Sequence, residues 1–281
     1  MSDGEASDGA TGDVGDGWSV EADASEGRSG HVDANDAATD DPVALSVAYL
    51  RAVRLGEDSA GPRDALAALD EDALAAALDG DDARYAFWLN VYNAAVQDLL
   101  ERDPSLLASR RSFFGADRVP VAGRTLSLDA IEHGLLRRSR WKLGAGYLPA
   151  PFPSAFERRF RVDERDPRVH FGLNCGAASC PPVAAYTPET VDDTLDGVTA
   201  TYLERTVEYD PAGWLWDGVV TVPRLFLWYR GDFGGKSGVL AFIRRYGLLP
   251  AGVRPRLSHR EYDWSLKLGE FADGPPVGGG E

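Results

Sequence analysis

Between residues 82 and 102 the chain carries Tyr85, Phe87, Trp88, Leu89, Val91, Tyr92, Val96, Leu99 and Leu100, with no glycine or proline until Pro104. At 3.6 residues per turn these side chains cover nearly the whole circumference of a helix. A helix that is apolar all round has no face to offer water, so it must sit at the centre of the fold. The other elements are then read as layers around it.

Asp41-Pro42 is an N-cap and first-turn pair, and Val43, Val47, Leu50 and Val53 follow at helical spacing up to Gly56. Two Ala/Leu-rich helices are expected near residues 63–69 and 71–79. Residues 119–126 read as a hairpin turning at Ala122-Gly123. Ser127 caps a helix to about residue 140, with Asp129 in its first turn. Residues 141–160, rich in aromatics, Gly and Pro, read as a loop. Val169, Phe171 and Leu173 alternate, which predicts a strand over 168–174. Further helices are expected at 187–206, 225–229 and 239–246, and strands at 213–216, 219–222 and 260–266. The expected class is α+β, a mostly helical single domain over 41–272 with a small, largely antiparallel sheet.

Charge divides the chain. Residues 1–41 hold twelve acids against Arg28, a balance of −11 out of the formal −16. With so few bulky apolar side chains, residues 1–40 cannot offset their ordering entropy and are expected to be a disordered acidic tail. Residues 273–281 read as a frayed C-terminus. The remainder has no basic surplus, which argues against a nucleic-acid partner. No run of about eighteen apolar residues occurs, so no membrane span or membrane partner is expected. Two cysteines and no apolar leader point to a reducing cytoplasm. Three lysines against twenty-six arginines, with abundant Asp, suit a salt-adapted, halophilic host.

Five segments occur in a fixed order: Phe87-Trp88-Leu89-Asn90-Val91-Tyr92-Asn93-Ala94, Leu126-Ser127-Leu128-Asp129-Ala130-Ile131-Glu132-His133, Asp166-Pro167-Arg168-Val169-His170-Phe171-Gly172-Leu173-Asn174-Cys175-Gly176, Ser179-Cys180-Pro181-Pro182 and Tyr262-Asp263-Trp264-Ser265-Leu266. Together they resemble the domain of unknown function 547 family over about residues 84–267. Lys267 stands where that family usually has Asn. The resemblance implies no settled activity.

Chemistry therefore has to be read from side chains. Asn90 and Asn93 lie three apart on an apolar helix and need partners, either as clamps on a neighbouring loop or as the lining of a pocket. Cys175, Cys180 and His170 lie within eleven residues, which suggests a thiol nucleophile with an imidazole base in a hydrolase or acyl transferase acting on an amide or ester. His133 is the second candidate base. Strand parity would put His170 with Arg168 and Asn174 on the face opposite Cys175. Gly172 suggests open space beside His170. Glu132 and His133, adjacent on a helix, should diverge, with Glu132 commonly exposed. The binding candidates are Asn90, Asn93, Glu132, Arg168 and Asn174. Asp232 and Asp263, each among aromatics, could orient an imidazole. A non-catalytic protein- or ligand-binding domain is one alternative. A zinc site on His170, Cys175 and Cys180 is another, although four residues separate each pair and the fourth ligand would have to come from His133. A Cys175–Cys180 redox pair is a third. No cofactor is called for, and partners are unknown.

Overall fold

The computed structural model describes residues 41–212 and 217–272. The expected acidic tail, the strand at 213–216 and the frayed C-terminus lie outside the described residues. About 50% of the described residues are helical and 10% are strand, an α+β architecture. No helix of the described residues is long and apolar enough to cross a membrane.

The central helix forms as its composition requires. It is α4 (Asp81–Arg102), and sixteen of its 22 residues are buried. Against it packs α1 (Pro42–Leu55), and α2 (Ala60–Ala68) and α3 (Glu71–Ala77) lie against α1. Asp41 Oδ1 accepts from Val43 N at 2.9 Å to start α1, and Gly56, at φ 65°, ends it. Beyond α4 come a 3₁₀ turn (Pro104–Ser109) and α5 (Arg110–Gly115). The hairpin β1 (Val119–Val121) and β2 (Arg124–Leu126) turns at Ala122-Gly123 as its sequence predicts.

The second half holds α6 (Ala155–Phe160), α7 (Val169–Gly172), α8 (Val191–Thr206), α9 (Leu225–Trp228) and α10 (Gly235–Arg245). A three-stranded sheet runs in the order β3 (Glu208–Asp210), β4 (Val219–Val222), β5 (Arg256–His259). The β3–β4 pair is antiparallel and β4–β5 is parallel. The final strand thus precedes the expected 260–266. The supposed loop at 141–160 ends in α6, which Ser154 caps through a 3.0 Å bond from Glu157 N.

Two departures from the sequence reading matter for the site. The expected strand at 168–174 is a single helical turn, α7. Asp166 Oδ1 accepts from Arg168 N at 2.8 Å, and Leu173 N donates to Val169 O at 3.1 Å. The alternation misled because the segment lies between two apolar clusters. Val169 and Leu173 join the cluster around α4, while Phe171 joins a second one with Phe226, Phe233 and Ile243. A segment buried on every side carries no reliable period. Gly172 leaves no open space either: an added Cβ would lie 2.9 Å from Leu195 Cδ2 and 3.0 Å from Tyr186 Oη.

The second departure is the helix after Ser127. From Ala130 to Leu136 it is a π-helix, in which Arg137 N reaches back five residues to Glu132 O at 3.0 Å. The wider turn changes the angular spacing of neighbours, and such turns are frequent at functional sites.

Candidate functional site

A cavity of about 1160 Å³ opens between the π-helix, α5 and the loops after α7 and α9. Its wall includes Glu132, His133, His170, Cys175, Tyr229 and Tyr262. Glu132 and His133 therefore share one cavity, contrary to the divergence expected of an ordinary helix. Glu132 is also mostly buried, its side chain 12% exposed, with its Oε1 3.4 Å from His133 Nδ1. Replacing the strand by a helical turn likewise removes the parity that would turn His170 from Cys175.

The imidazoles are fixed by different partners. Asp232 Oδ2 lies 2.9 Å from His170 Nε2 and 2.7 Å from Arg137 Nε, and Asp232 Oδ1 accepts from Arg165 Nη1 at 3.0 Å. Burial would raise the Asp232 pKa, but His170 and Arg137 outweigh it and hold it at about 2. An ionised carboxylate only accepts, so His170 carries its proton on Nε2. Its Nδ1 lone pair is left with no hydrogen-bond partner among the described residues. The ring stacks on Tyr229, centroids 3.9 Å apart.

His133 has its Nδ1 lone pair committed. Arg137 Nη1 lies 2.8 Å from its Nδ1, and guanidinium can only donate, so Nδ1 accepts. Its Nε2 faces Asp129 Oδ1 at 3.6 Å. Burial pushes both histidines below the ordinary imidazole pKa, aided in each case by the Arg137 charge. For Glu132, burial raises the pKa, yet the charges of His133, Arg137 and His170 and the Tyr229 hydroxyl bring it below the usual value.

The sulfur side is built differently. The two thiols are free, Cys180 buried and Cys175 partly exposed. Their sulfurs are 2.6 Å apart. Cys175 N donates to Cys180 Sγ at 3.0 Å, and Tyr262 Oη lies 3.2 Å from Cys180 Sγ and 3.3 Å from Cys175 Sγ. Burial raises the Cys180 pKa, but donation from the Cys175 thiol, Tyr262 and the Cys175 amide lowers it to about 7. The hydrogen bond to Cys180 and burial push Cys175 well above its ordinary value. The first proton lost from the pair therefore leaves Cys180, and Cys175 keeps the second. Among the described residues no imidazole hydrogen-bonds either sulfur.

The remaining candidates hold the frame rather than line the cavity. Asn90 Nδ2 donates to Tyr186 O at 2.8 Å and Asn90 Oδ1 accepts from Tyr186 N at 3.0 Å. Asn93 Nδ2 donates to Gly172 O at 2.8 Å, and Asn93 Oδ1 accepts from Asn174 N at 2.9 Å. Asn174 passes the frame on, donating to Pro181 O at 2.8 Å and accepting from Gly176 N at 2.8 Å. These bonds tie the cysteine loop to α4. Arg168 pairs with Asp166 at 2.6 Å and Asp192 at 2.5 Å, beside a smaller cavity of about 390 Å³. No group of three His, Cys, Asp or Glu side chains among the described residues could hold a metal ion, which weighs against the zinc alternative.

Sequence reasoning assigned no site role to Arg137, Tyr229 or Tyr262. Of Asp232 and Asp263, the structure selects Asp232, whose position within an aromatic run was the available signal. The protein matches none of the curated proteins and none of the solved structures compared with it. A family profile does match, over a span that includes the π-helix, His170 and both cysteines but ends before Tyr229, Asp232 and Tyr262. Across residues 76–203 the chain is similar to the family described as protein of unknown function, DUF547.

Proposed function

We propose that the cavity is a thiol-dependent active site in which Cys175 Sγ is the attacking atom and His170 the base, acting on an amide or ester by acyl transfer or hydrolysis. The observation that carries this reading is that His170, whose Nδ1 lone pair has no hydrogen-bond partner among the described residues, lines the same cavity as the partly exposed Cys175. His133 Nδ1 accepts from Arg137, so its ring proton sits on Nε2 and no lone pair is left to take another, which favours His170. Cys175 lines the cavity and is partly exposed whereas Cys180 is buried, which favours Cys175 as the nucleophile, and its raised pKa is what a base must overcome. Asp232 orients the imidazole and stabilises its charged form, while Glu132 adds a buried negative charge nearby.

A dithiol reading is favoured by the contact between the sulfurs. A low-molecular-weight disulfide entering the cavity would be attacked by Cys175. Cys180 would then displace the second thiol, leaving a Cys175–Cys180 disulfide, with two protons and two electrons passed to the substrate.

Hydrolysis of chromogenic aryl esters separates the two. The acyl-transfer reading expects turnover that is lost in Cys175→Ala and in His170→Gln and retained in large part in Cys180→Ala. Full activity in Cys175→Ala, or after iodoacetamide treatment, sinks it. The dithiol reading expects glutathione disulfide to remove two hydrogen atoms from the intact mass of the wild type, and neither single cysteine variant to do the same.

A further inference from the structure

We propose that the loop over residues 141–152 is a peripheral docking surface for an anionic lipid bilayer. Among the described residues, five of the seven exposed large apolar side chains fall in this loop: Trp141, Leu143, Tyr147, Leu148 and Phe152, with Leu55 and Leu266 elsewhere. Leu143 is 78% and Phe152 92% exposed, so these side chains project from the surface instead of lying flat on it. Clusters of this kind on a monomer mark an interaction site.

Charge selects the occupant. Residues 137–161 hold seven Arg or Lys and one acid, Glu157, in a chain of net −16. Arg137, Lys142 and Arg159 pair with Asp232, Asp129, and Glu71 and Asp72, which leaves Arg138, Arg140, Arg158 and Arg161 without an acid partner among the described residues. The exposed Arg110 and Arg111 join Trp141, Lys142 and Leu143 around the cavity mouth. No acid among the described residues pairs with either arginine, and Arg110 instead lies over the Trp264 ring at 4.3 Å. A basic rim around protruding aromatic and aliphatic side chains matches a headgroup layer over acyl chains. The rings sit at the boundary, and the cations meet anionic lipid. A folded acidic partner would need a flatter, complementary face. No spanning helix is required, and docking would set the cavity mouth against the lipid.

Co-sedimentation of the full chain with vesicles tests this. Phosphatidylcholine vesicles containing phosphatidylserine should bind the protein, and binding should weaken as salt rises. Pure phosphatidylcholine should bind at least about tenfold less. Phe152→Glu with Leu143→Glu should lower the partition coefficient by about tenfold or more, and Arg111→Glu by a few-fold. Circular dichroism matching the wild type keeps misfolding out of the comparison. No binding to phosphatidylserine vesicles at low salt overturns the proposal. So does equal binding to polyglutamate, which points to an acidic polypeptide, or a dimer abolished by Phe152→Glu without any vesicle binding.

Discussion

The imidazole wall of the cavity, from Asp129 to Arg137 with His170 and Asp232, is tied by ion pairs and charge-assisted hydrogen bonds. Asp232 alone engages Arg137, His170 and Arg165. The sulfur wall, from Asn174 to Cys180, takes its backbone from amide clamps on α4. Around its sulfurs lie two thiols, the backbone of Cys175 and Ala177 and one phenol, with no charged group bonded to them among the described residues. Charges set the first wall's protonation states and fix its side chains. Weak donors set the second wall's, where the proton left between the sulfurs stays on Cys175. On the proposed mechanism this divides the labour: the charge-tied wall is the rigid one and orients the base, while the sulfur wall carries the attacking atom.

The strongest way to break this contrast is to remove the charge at the centre of the rigid wall. Asp232→Ala leaves Arg137, whose side chain is 2% exposed, as a buried cation without its carboxylate. Losing one member of a buried pair costs about 3–5 kcal/mol, measurable by urea unfolding. A loss under about 1 kcal/mol would mean that Arg137 and His170 find other partners, and the wall would not be the rigid one. The pH dependence has a definite sign. The folded Asp232 pKa of about 2 lies below its ordinary 3.8. The stability it contributes is therefore fully present above the ordinary value and is lost as pH falls through the folded one. The gap between wild type and variant should close over that acid window.

A smaller effect is expected from the backbone of the sulfur wall. Gly176 follows Cys175 at φ 81°, and an added Cβ would run into Leu100 Cδ1. Gly176→Ala combines left-handed strain with overpacking against a buried leucine, a cost of about 1–3 kcal/mol. If urea unfolding shows no loss, the loop yields without strain and the amide clamps on it matter less than their geometry suggests.

The two walls also differ in how far they could be read from sequence. Central placement of α4 was legible because Phe87, Trp88, Leu89 and Val91 leave no polar stripe. The hairpin at Ala122-Gly123 was legible because its turn residues are local. Asn90 and Asn93 were readable as needing partners, since a buried amide is costly to leave bare. The π-helix was not, because nothing in Ala130–Leu136 distinguishes five-residue from four-residue hydrogen bonding until Arg137 is seen paired to Asp232. Nor was α7, where Val169 and Phe171 face separate apolar clusters and imitate a strand. The links that make the site connect distant positions: His170 with Asp232 across 62 residues, and Cys175 with Tyr262 across 87. Local pattern holds no record of such pairings, so cysteines and histidines could be nominated but not matched.

The phenol is the finest probe of the contrast, because its loss should alter protonation while leaving the frame intact. Burial and the adjacent thiols raise the Tyr262 pKa far above that of free tyrosine, so it stays protonated and donates. Tyr262→Phe keeps the ring packed near Trp228 and Trp264 and removes one donor to the Cys180 thiolate. One lost hydrogen bond to a charged acceptor is worth about 1.5 kcal/mol, or about one pKa unit. The first pKa of the dithiol should rise from about 7 by that amount. Alkylation by iodoacetamide near neutral pH should slow several-fold, and the wild-type and variant rates should converge in alkaline solution, where both thiols are ionised. Equal rates throughout the titration would show that the amide and the partner thiol suffice to hold the charge. A change in urea stability comparable to that of Asp232→Ala would instead place Tyr262 in the rigid wall, and the division of labour between the two walls would fail.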